Sequence, residues 1–334
     1  MKHRMPMIPA SFFGIVLGLV GLGDCWRAAH LAWGTSEAIS TTIMTVAAVV
    51  WVVLLVLYVA KWVVRSDLGL AEFRHPVQSC SIALLGVSTL LMAYLVDGRS
   101  HALAVILLAV GTVGELIYGC IFTSRQWRGG NDTAMITPAI YLPTVASNLV
   151  AAFSAAYLGY RVLAILLLGA GILSWLMIES QIGFRMAFSP GMEPPLRPTV
   201  GILLAPPAVA CEAYLFITGG ITGPPPNAFA LGLAGYALFI FLVLVRHARW
   251  VSAQPFAVSY WAFSFGITSL AFDLILFHLR GMGGFLDWLS IAAFGVANVV
   301  IAVLAVGTVI QLLRRTLLPS SPMASLPVAA TTPH

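Results

Sequence analysis

Long apolar stretches alternate with short polar breaks along almost the whole chain. The apolar runs fall at roughly 9–32, 40–64, 76–96, 101–124, 138–158, 161–184, 198–218, 227–247, 255–278 and 285–313. A helix of about 20 residues crosses a hydrocarbon core about 30 Å thick. Lipid offers the backbone no hydrogen-bond partners, so runs of this kind predict helices. The breaks carry turn chemistry, at Gly34-Thr35-Ser36, Asp97-Gly98, Gly129-Gly130-Asn131-Asp132, Gly219-Gly220 and Pro224-Pro225-Pro226. The pattern predicts an all-α integral membrane protein of ten transmembrane helices, one domain over residues 1–315. The Pro/Ser/Ala-rich tail, 316–334, is expected to be disordered. The basic start and apolar run of MKHRMPMIPASFFGIVLGLVGLGDCW resemble a signal peptide. The run is too long for one and no A-x-A site follows, so it is expected to be the first span.

Composition agrees with the pattern. Hydrophobic residues make up 60% of the chain and charged residues 9%, with a mean hydropathy of +0.97. A soluble domain carries about 25% charged residues, so an ordinary water-facing surface is excluded. The net charge of +5 points to no nucleic acid, because the Lys and Arg residues are scattered over span ends.

The basic residues set the orientation. Thirteen of the 17 Lys and Arg residues lie in the two terminal flanks and in the breaks after spans 2, 4, 6 and 8, while Arg27, Arg99, Arg161 and Arg280 lie on the other side. The positive-inside rule then places both termini in the cytoplasm, which an even number of spans requires. The expected location is a bacterial inner membrane.

Each odd span therefore starts on the cytoplasmic side, and each has a proline at or near its start: Pro9, Pro76, Pro138, Pro198 and Pro255. Proline is tolerated in a first turn, where the N–H it lacks would be unpaired anyway. Further in come Gly86, Pro143, the pair Pro206-Pro207, and Gly266, with Gly14 and Gly18 in span 1. This reads as five helical hairpins, each with one kinked and one straight member. Kinked backbone is tolerated in a membrane only when buried in protein or facing a wet cavity. The kinked helices are thus expected inside, around a central pore, with the straight ones as an outer ring. Close helix packing on small residues is the competing reading of the same glycines.

The inventory of chemistry is short. No HExxH, GxSxG, Walker or GxGxxG motif occurs, and no catalytic residue, metal site or cofactor is expected. Cys25, Cys80, Cys120 and Cys211 lie in apolar runs without metal spacing and read as small core residues. His30, His75, His101, His247 and His278 stand at span ends as interface anchors. Charges within spans are functional candidates because burying them in hydrocarbon is costly. Asp24, Glu212 and Asp273 lie 14 or more residues into odd spans, which at about 1.5 Å per residue places them in the outer third, near Arg27, His278 and Arg280. They are expected as charges of the outer mouth, with pairing to Arg27 or Arg280 as the alternative. Glu115 and Glu179 are assigned to the cytoplasmic ends of even spans. The midplane of the odd spans is left uncharged, which disfavours a proton- or cation-coupled transporter and a cation channel. Such a lumen can still pass anions.

Span 9 is the most aromatic at its start, with SYWAFSFG at 259–266. Phe265 and Phe263 there read from the residues alone as packing aromatics or as lumen-lining groups. The strings WRGG at 127–130, ITPAIYLPTVASN at 136–148, TVGILLAPPAVACEAYL at 199–215 and SYWAFSFGITSL at 259–270 resemble the bacterial tellurite-resistance/C4-dicarboxylate transporter family, to which plant slow anion channels are related. The likeness runs over about residues 9–315. It implies a homotrimer of five-hairpin protomers, each with its own pore lined by the odd helices and occluded by a phenylalanine of the ninth helix. Matching WAFSFG to the family motif puts that phenylalanine at Phe265, with Phe263 second. The partners implied are small anions: chloride, nitrate, malate, sulfite or tellurite. Val16 and Gly86 stand where the family pattern favours proline, and Glu212 where it favours a small or apolar residue. The expected function is a passive anion channel. The competing function is a coupled carrier for C4-dicarboxylate, sulfite or tellurite efflux, and a membrane enzyme or sensor ranks behind both.

Overall fold

The computed structural model describes residues 7–129 and 136–317. The basic N-terminal start, Gly130-Asn131-Asp132 of one predicted turn, and the tail from residue 318 lie outside the described residues. All regular structure among the described residues is helical. Ten segments are long and apolar enough to span a bilayer: span 1 Ala10–Trp33, span 2 Glu37–Val64, span 3 Gln78–Val96, span 4 His101–Trp127, span 5 Pro138–Tyr157, span 6 Arg161–Phe188, span 7 Pro194–Ile217, span 8 Ala228–Val251, span 9 Val258–Leu279 and span 10 Phe285–Leu313. A short helix that the sequence pattern did not suggest, Ser66–Arg74, follows span 2.

Odd and even spans differ in winding. Even spans are uninterrupted α-helix, whereas every odd span begins in a different winding and becomes α-helical partway. In span 1 the 3₁₀ stretch Ala10–Phe13 gives way to α at Gly14. In span 3 Gln78–Ile82 does so at Ala83, one turn before Gly86. Span 5 runs 3₁₀ over Pro138–Tyr141, then π over Leu142–Ala146 with Pro143 inside it, then α from Ser147. Span 7 winds as 3₁₀ over Pro194–Leu204 and turns α at Ala205, so Pro206 and Pro207 fall in the first α turn, where their missing N–H groups cost least. Span 9 changes at Ser264, after the 3₁₀ stretch Val258–Phe263.

Burial divides the spans in the same way. In their most apolar windows, odd spans bury 67–89% of residues and even spans 17–33%. Span 1 touches spans 3 and 9, span 3 touches span 5, span 5 touches span 7, and span 7 touches span 9. These contacts close a ring of five inner helices, and the non-α starts close a ring of their own in the same order. Each even span packs on the odd span before it, outside the ring.

Polar side chains tie the outer helices to these irregular starts. Lys61 of span 2 donates to the Ile8 carbonyl (2.9 Å) and pairs with Glu72 (2.6 Å), whose other oxygen accepts from the Ala10 N–H (2.8 Å). Tyr118 of span 4 donates to the Ser79 carbonyl (2.6 Å), and Gln311 of span 10 to the Phe256 carbonyl (2.5 Å). Backbone groups without an α-helical partner must be satisfied by something else inside a membrane. These side chains meet part of that need.

Candidate functional site

The inner ring has two levels. In the lower one, where the winding changes, the odd spans supply no carboxylate and no lysine, and their one charged side chain is Arg197. That arginine sits at the entrance of span 7 and is held by the carbonyls of Met192 and Trp250 (both 3.3 Å). Trp261 of span 9 is buried, and its indole N–H reaches Thr308 of span 10 at 2.9 Å. Phe263 and Phe265 are only half-buried, as are Ile15 and Leu19 of span 1 and Leu85 of span 3.

Glycines decide where the two rings sit. A methyl group on Gly201 of span 7 would lie 2.7 Å from the Phe263 ring, so Phe263 packs into the gap that glycine leaves. Phe265 turns to the other neighbour, with its Cδ2 3.5 Å from where a Gly21 Cβ would stand on span 1. Gly18 and Gly21 let span 1 approach the Ser264 and Thr268 side chains of span 9, and Gly266 lets span 9 meet the backbone of span 7 at Ala205. Gly14 is looser, with only the Trp261 Cβ near it at 3.7 Å.

The upper level holds the acids. Asp24, Glu212 and Asp273 are 3%, 4% and 0% exposed, so all three lie within the helix packing. They come from spans 1, 7 and 9, and Cys25 lies within electrostatic reach of all of them. Asp24 accepts a hydrogen bond from the Tyr94 hydroxyl, which in turn accepts one from Arg27 (2.9 Å). The Arg27 guanidinium lies over the rings of Tyr94 and Tyr157, at 5.6 and 5.9 Å from their centroids. Arg27 is thus linked to Asp24 through a tyrosine. Arg280 bonds to the carbonyls of Gly220 (2.9 Å), Leu215 (2.5 Å) and Pro224 (3.3 Å). Glu212 Oε2, Ser269 Oγ and both carboxylate oxygens of Asp273 are buried without a hydrogen-bond partner.

Of the two acids in even spans, Glu115 stands deeper than its expected place at the span end. Glu115 stands midway along span 4, about 20 Å from either end, and packs against Gly86 of span 3. Glu179 of span 6 accepts from Tyr141 at the start of span 5, from Trp175 (2.8 Å) and from Tyr236 (3.1 Å). Each joins an outer helix to the inner helix before it, Glu115 at the first α turn of span 3 and Glu179 at the 3₁₀ start of span 5. The available signal was an acid within an otherwise apolar run. Its neighbour, a glycine or a tyrosine on another helix, leaves no mark in local spacing. Among the described residues no group of three or more His, Cys, Asp or Glu could hold a metal ion.

Residues 7–309 match a family profile described as SLAC1, voltage-dependent anion channel. The chain is 33% identical over 306 residues to the tellurite resistance protein TehA homolog of Haemophilus influenzae, covering 91% of each chain. It is 28% identical over 276 residues to the S-type anion channel SLAH4 of Arabidopsis thaliana, covering 80% of this chain and 73% of that one. Similarity to the guard cell S-type anion channel SLAC1 of Arabidopsis thaliana is 24% over 322 residues, covering 91% of this chain and 55% of that one.

Proposed function

This chain belongs to the SLAC1/TehA family of anion channels and transporters, and on that premise we propose that it is a passive anion channel whose path runs along the axis of the inner ring. The observation that carries the reading is the closed ring of five inner helices with a lower level that holds no carboxylate and no lysine. A lumen without carboxylates or lysines leaves an anion neither repelled nor held, and weak binding favours throughput. Phe265 is the gate. It is half-buried, at the junction of the two windings of span 9, beside the gap at Gly21. A ring across a narrow uncharged lumen leaves no room for a hydrated anion, and moving it forfeits packing. Phe263, seated against Gly201, is the supporting ring. The permeant ions are small anions of the chloride, nitrate, malate, sulfite or tellurite class. The protein works as a homotrimer in a bacterial inner membrane with both termini cytoplasmic.

The test is anion-substitution current in reconstituted bilayers. Phe265→Ala gives large constitutive anion currents, and Phe263→Ala a smaller rise. Currents for Phe265→Ala no larger than wild type at equal reconstitution would sink the gate.

The unpartnered oxygens of Glu212 and Asp273 favour a second reading, a coupled carrier. Reversal potentials separate the two. A channel's reversal potential follows the anion gradient alone, whereas that of a carrier also shifts when a pH gradient is imposed.

A further inference from the structure

Spans 4 and 6 both pack on span 5, and a cavity of about 390 Å³ opens in the furrow between them. Its walls include Glu115, Gly119 and Cys120 of span 4, Thr144 and Asn148 of span 5, and Ser174 of span 6. Cys120 is exposed, as is Leu116 beside Glu115, so the cavity is reached from the bilayer. Its size suits a small molecule, yet its walls are more polar than a lipid-facing surface needs. The described residues that line it include one carboxyl, and no arginine, lysine or histidine.

The deep end holds polar groups without partners. Glu115 is 6% exposed, and its Oε2 is buried with no hydrogen-bond partner, as is the Thr144 hydroxyl. Winding accounts for the threonine. A helical threonine commonly bonds its hydroxyl to a carbonyl three or four residues back. Thr144 lies in the π stretch Leu142–Ala146, where that ladder is displaced. Ser147 and Asn148, just beyond, do bond back, to the carbonyls of Pro143 (2.8 Å) and Thr144 (2.6 Å). A Cβ on Gly119 would stand 2.8 Å from the Pro143 carbonyl, so span 4 meets the π turn with no side chain between. Lipid offers these groups no hydrogen bonds, and a buried polar group left unpaired is costly. About 18 Å of helix separates Glu115 from Trp127 at the other end of the cavity.

We propose that this cavity binds a membrane-dissolved amphiphile with an uncharged hydroxyl head, such as a long-chain alcohol. The ligand O–H donates to Glu115 Oε2, and its oxygen accepts from the Thr144 hydroxyl. A carboxyl oxygen accepts in either protonation state, and a hydroxyl both gives and takes, so one head serves both groups. An anionic head would face an acid in a low dielectric, with no cation among the described lining residues to offset it. A quaternary ammonium has no hydrogen to donate. The bound ligand lies against the π turn of an inner helix from the lipid side, and such turns often coincide with functional sites.

The test is photolabelling of the full chain in vesicles of phosphatidylcholine, a lipid without a hydroxyl head, by a diazirine-bearing hexadecanol, with the adducts mapped by mass spectrometry. Wild type takes up label saturably within 115–124 and 144–148. Unlabelled hexadecanol competes at about tenfold lower concentration than its methyl ether, as one hydrogen bond to a carboxyl implies. Thr144→Val keeps the shape of its side chain and Glu115→Met most of its length. Each weakens competition by hexadecanol about tenfold, and melting temperatures show that each is folded. Equal competition by the alcohol and the ether in wild type overturns the proposal. So does labelling that both variants leave unchanged, or the absence of saturable labelling. Competition by hexadecylamine with none by hexadecanol also overturns it, by assigning the cavity to a cationic head. Labelling is read without current, so the outcome is independent of whether the axis conducts.

Discussion

Glu115 on span 4 lies over Gly86 on span 3, and a Cβ at position 86 would stand 1.9 Å from its Oε1. The glycine at this depth therefore serves to admit a side chain from the outer ring, a buried carboxyl whose Oε2 has no hydrogen-bond partner.

Gly86→Ala is expected to displace Glu115 and to cost about 1–3 kcal/mol, the usual range for overpacking a buried contact. Glu115→Ala leaves the space against Gly86 empty and should melt below wild type, whereas Glu115→Gln keeps that volume and removes a buried acid with an unpartnered oxygen, so it should melt no lower than wild type. Melting temperatures of the three variants in one detergent give the order. Equal losses for Gln and Ala would show that the filled volume does not matter.

Gly21 is the approach point between span 1 and span 9, where an added methyl would overlap the Thr268 side chain and touch the Phe265 ring. Gly21→Ala is expected to raise basal anion current above wild type and below that of Phe265→Ala. Effects of groups in direct contact are not additive. The double variant should therefore conduct no more than Phe265→Ala alone. A double variant well above that level would mean that Gly21 acts on some other part of the path.

Glu212 and Asp273 are buried without partners for Glu212 Oε2 and both Asp273 oxygens, while Asp24 is held by Tyr94. Neutralising an unpaired buried acid removes a cost, whereas neutralising a paired one weakens a charge-assisted bond. Glu212→Gln and Asp273→Asn are expected to raise the melting temperature or leave it unchanged, and to increase anion conductance. Asp24→Asn should lower the melting temperature. Thermal unfolding and single-channel conductance of the three variants check both halves.

His75 joins the short helix to span 3, and its Nδ1 accepts from the N–H groups of Val77 (3.2 Å) and Gln78 (3.1 Å). Burial holds its pKa below the ordinary histidine value of 6.5, in keeping with a neutral ring that accepts at Nδ1. A depressed histidine pKa means that the stabilisation is present above the unfolded value, about 6.5, and is lost as pH falls through the lower folded value. Melting temperature should drop on acidification below that point in wild type. His75→Asn, whose carbonyl can accept without titrating, should flatten the drop. An identical acid limb in both proteins would place its origin elsewhere.

Span positions and the inner-outer division were readable because both rest on local properties. A run of apolar residues measures a bilayer, and proline or glycine at matching depth marks backbone that needs protein around it. The ends of spans 4 and 6 were read short because Arg125 and Gln126, or Arg185, look like loop chemistry, although each continues its helix to the interface. The ties were unreadable for a different reason. Even spans are apolar nearly all round, so no periodicity tells which face of span 4 carries Glu115 toward Gly86, or that Glu179 meets Tyr141. The enclosure of Asp24, Glu212 and Asp273 between spans 1, 7 and 9 depends on tertiary packing, which spacing along one helix cannot encode.

Mixed winding gives span 9 a mechanical property. A 3₁₀ helix advances about 2.0 Å and turns about 120° per residue, an α-helix about 1.5 Å and 100°. Converting the six residues Val258–Phe263 to α winding would shorten that segment by roughly 3 Å and screw everything beyond it through roughly 120°. No proline lies within this stretch, whereas Pro206 and Pro207 at the matching junction of span 7 lack the N–H groups such a conversion requires. Span 9 is therefore a threaded shaft set against a locked neighbour, and its thread ends where Phe263 and Phe265 are mounted. Distances between spin labels on Ser259 and Ser290, recorded in wild type and in Ala262→Pro, would show whether the shaft turns.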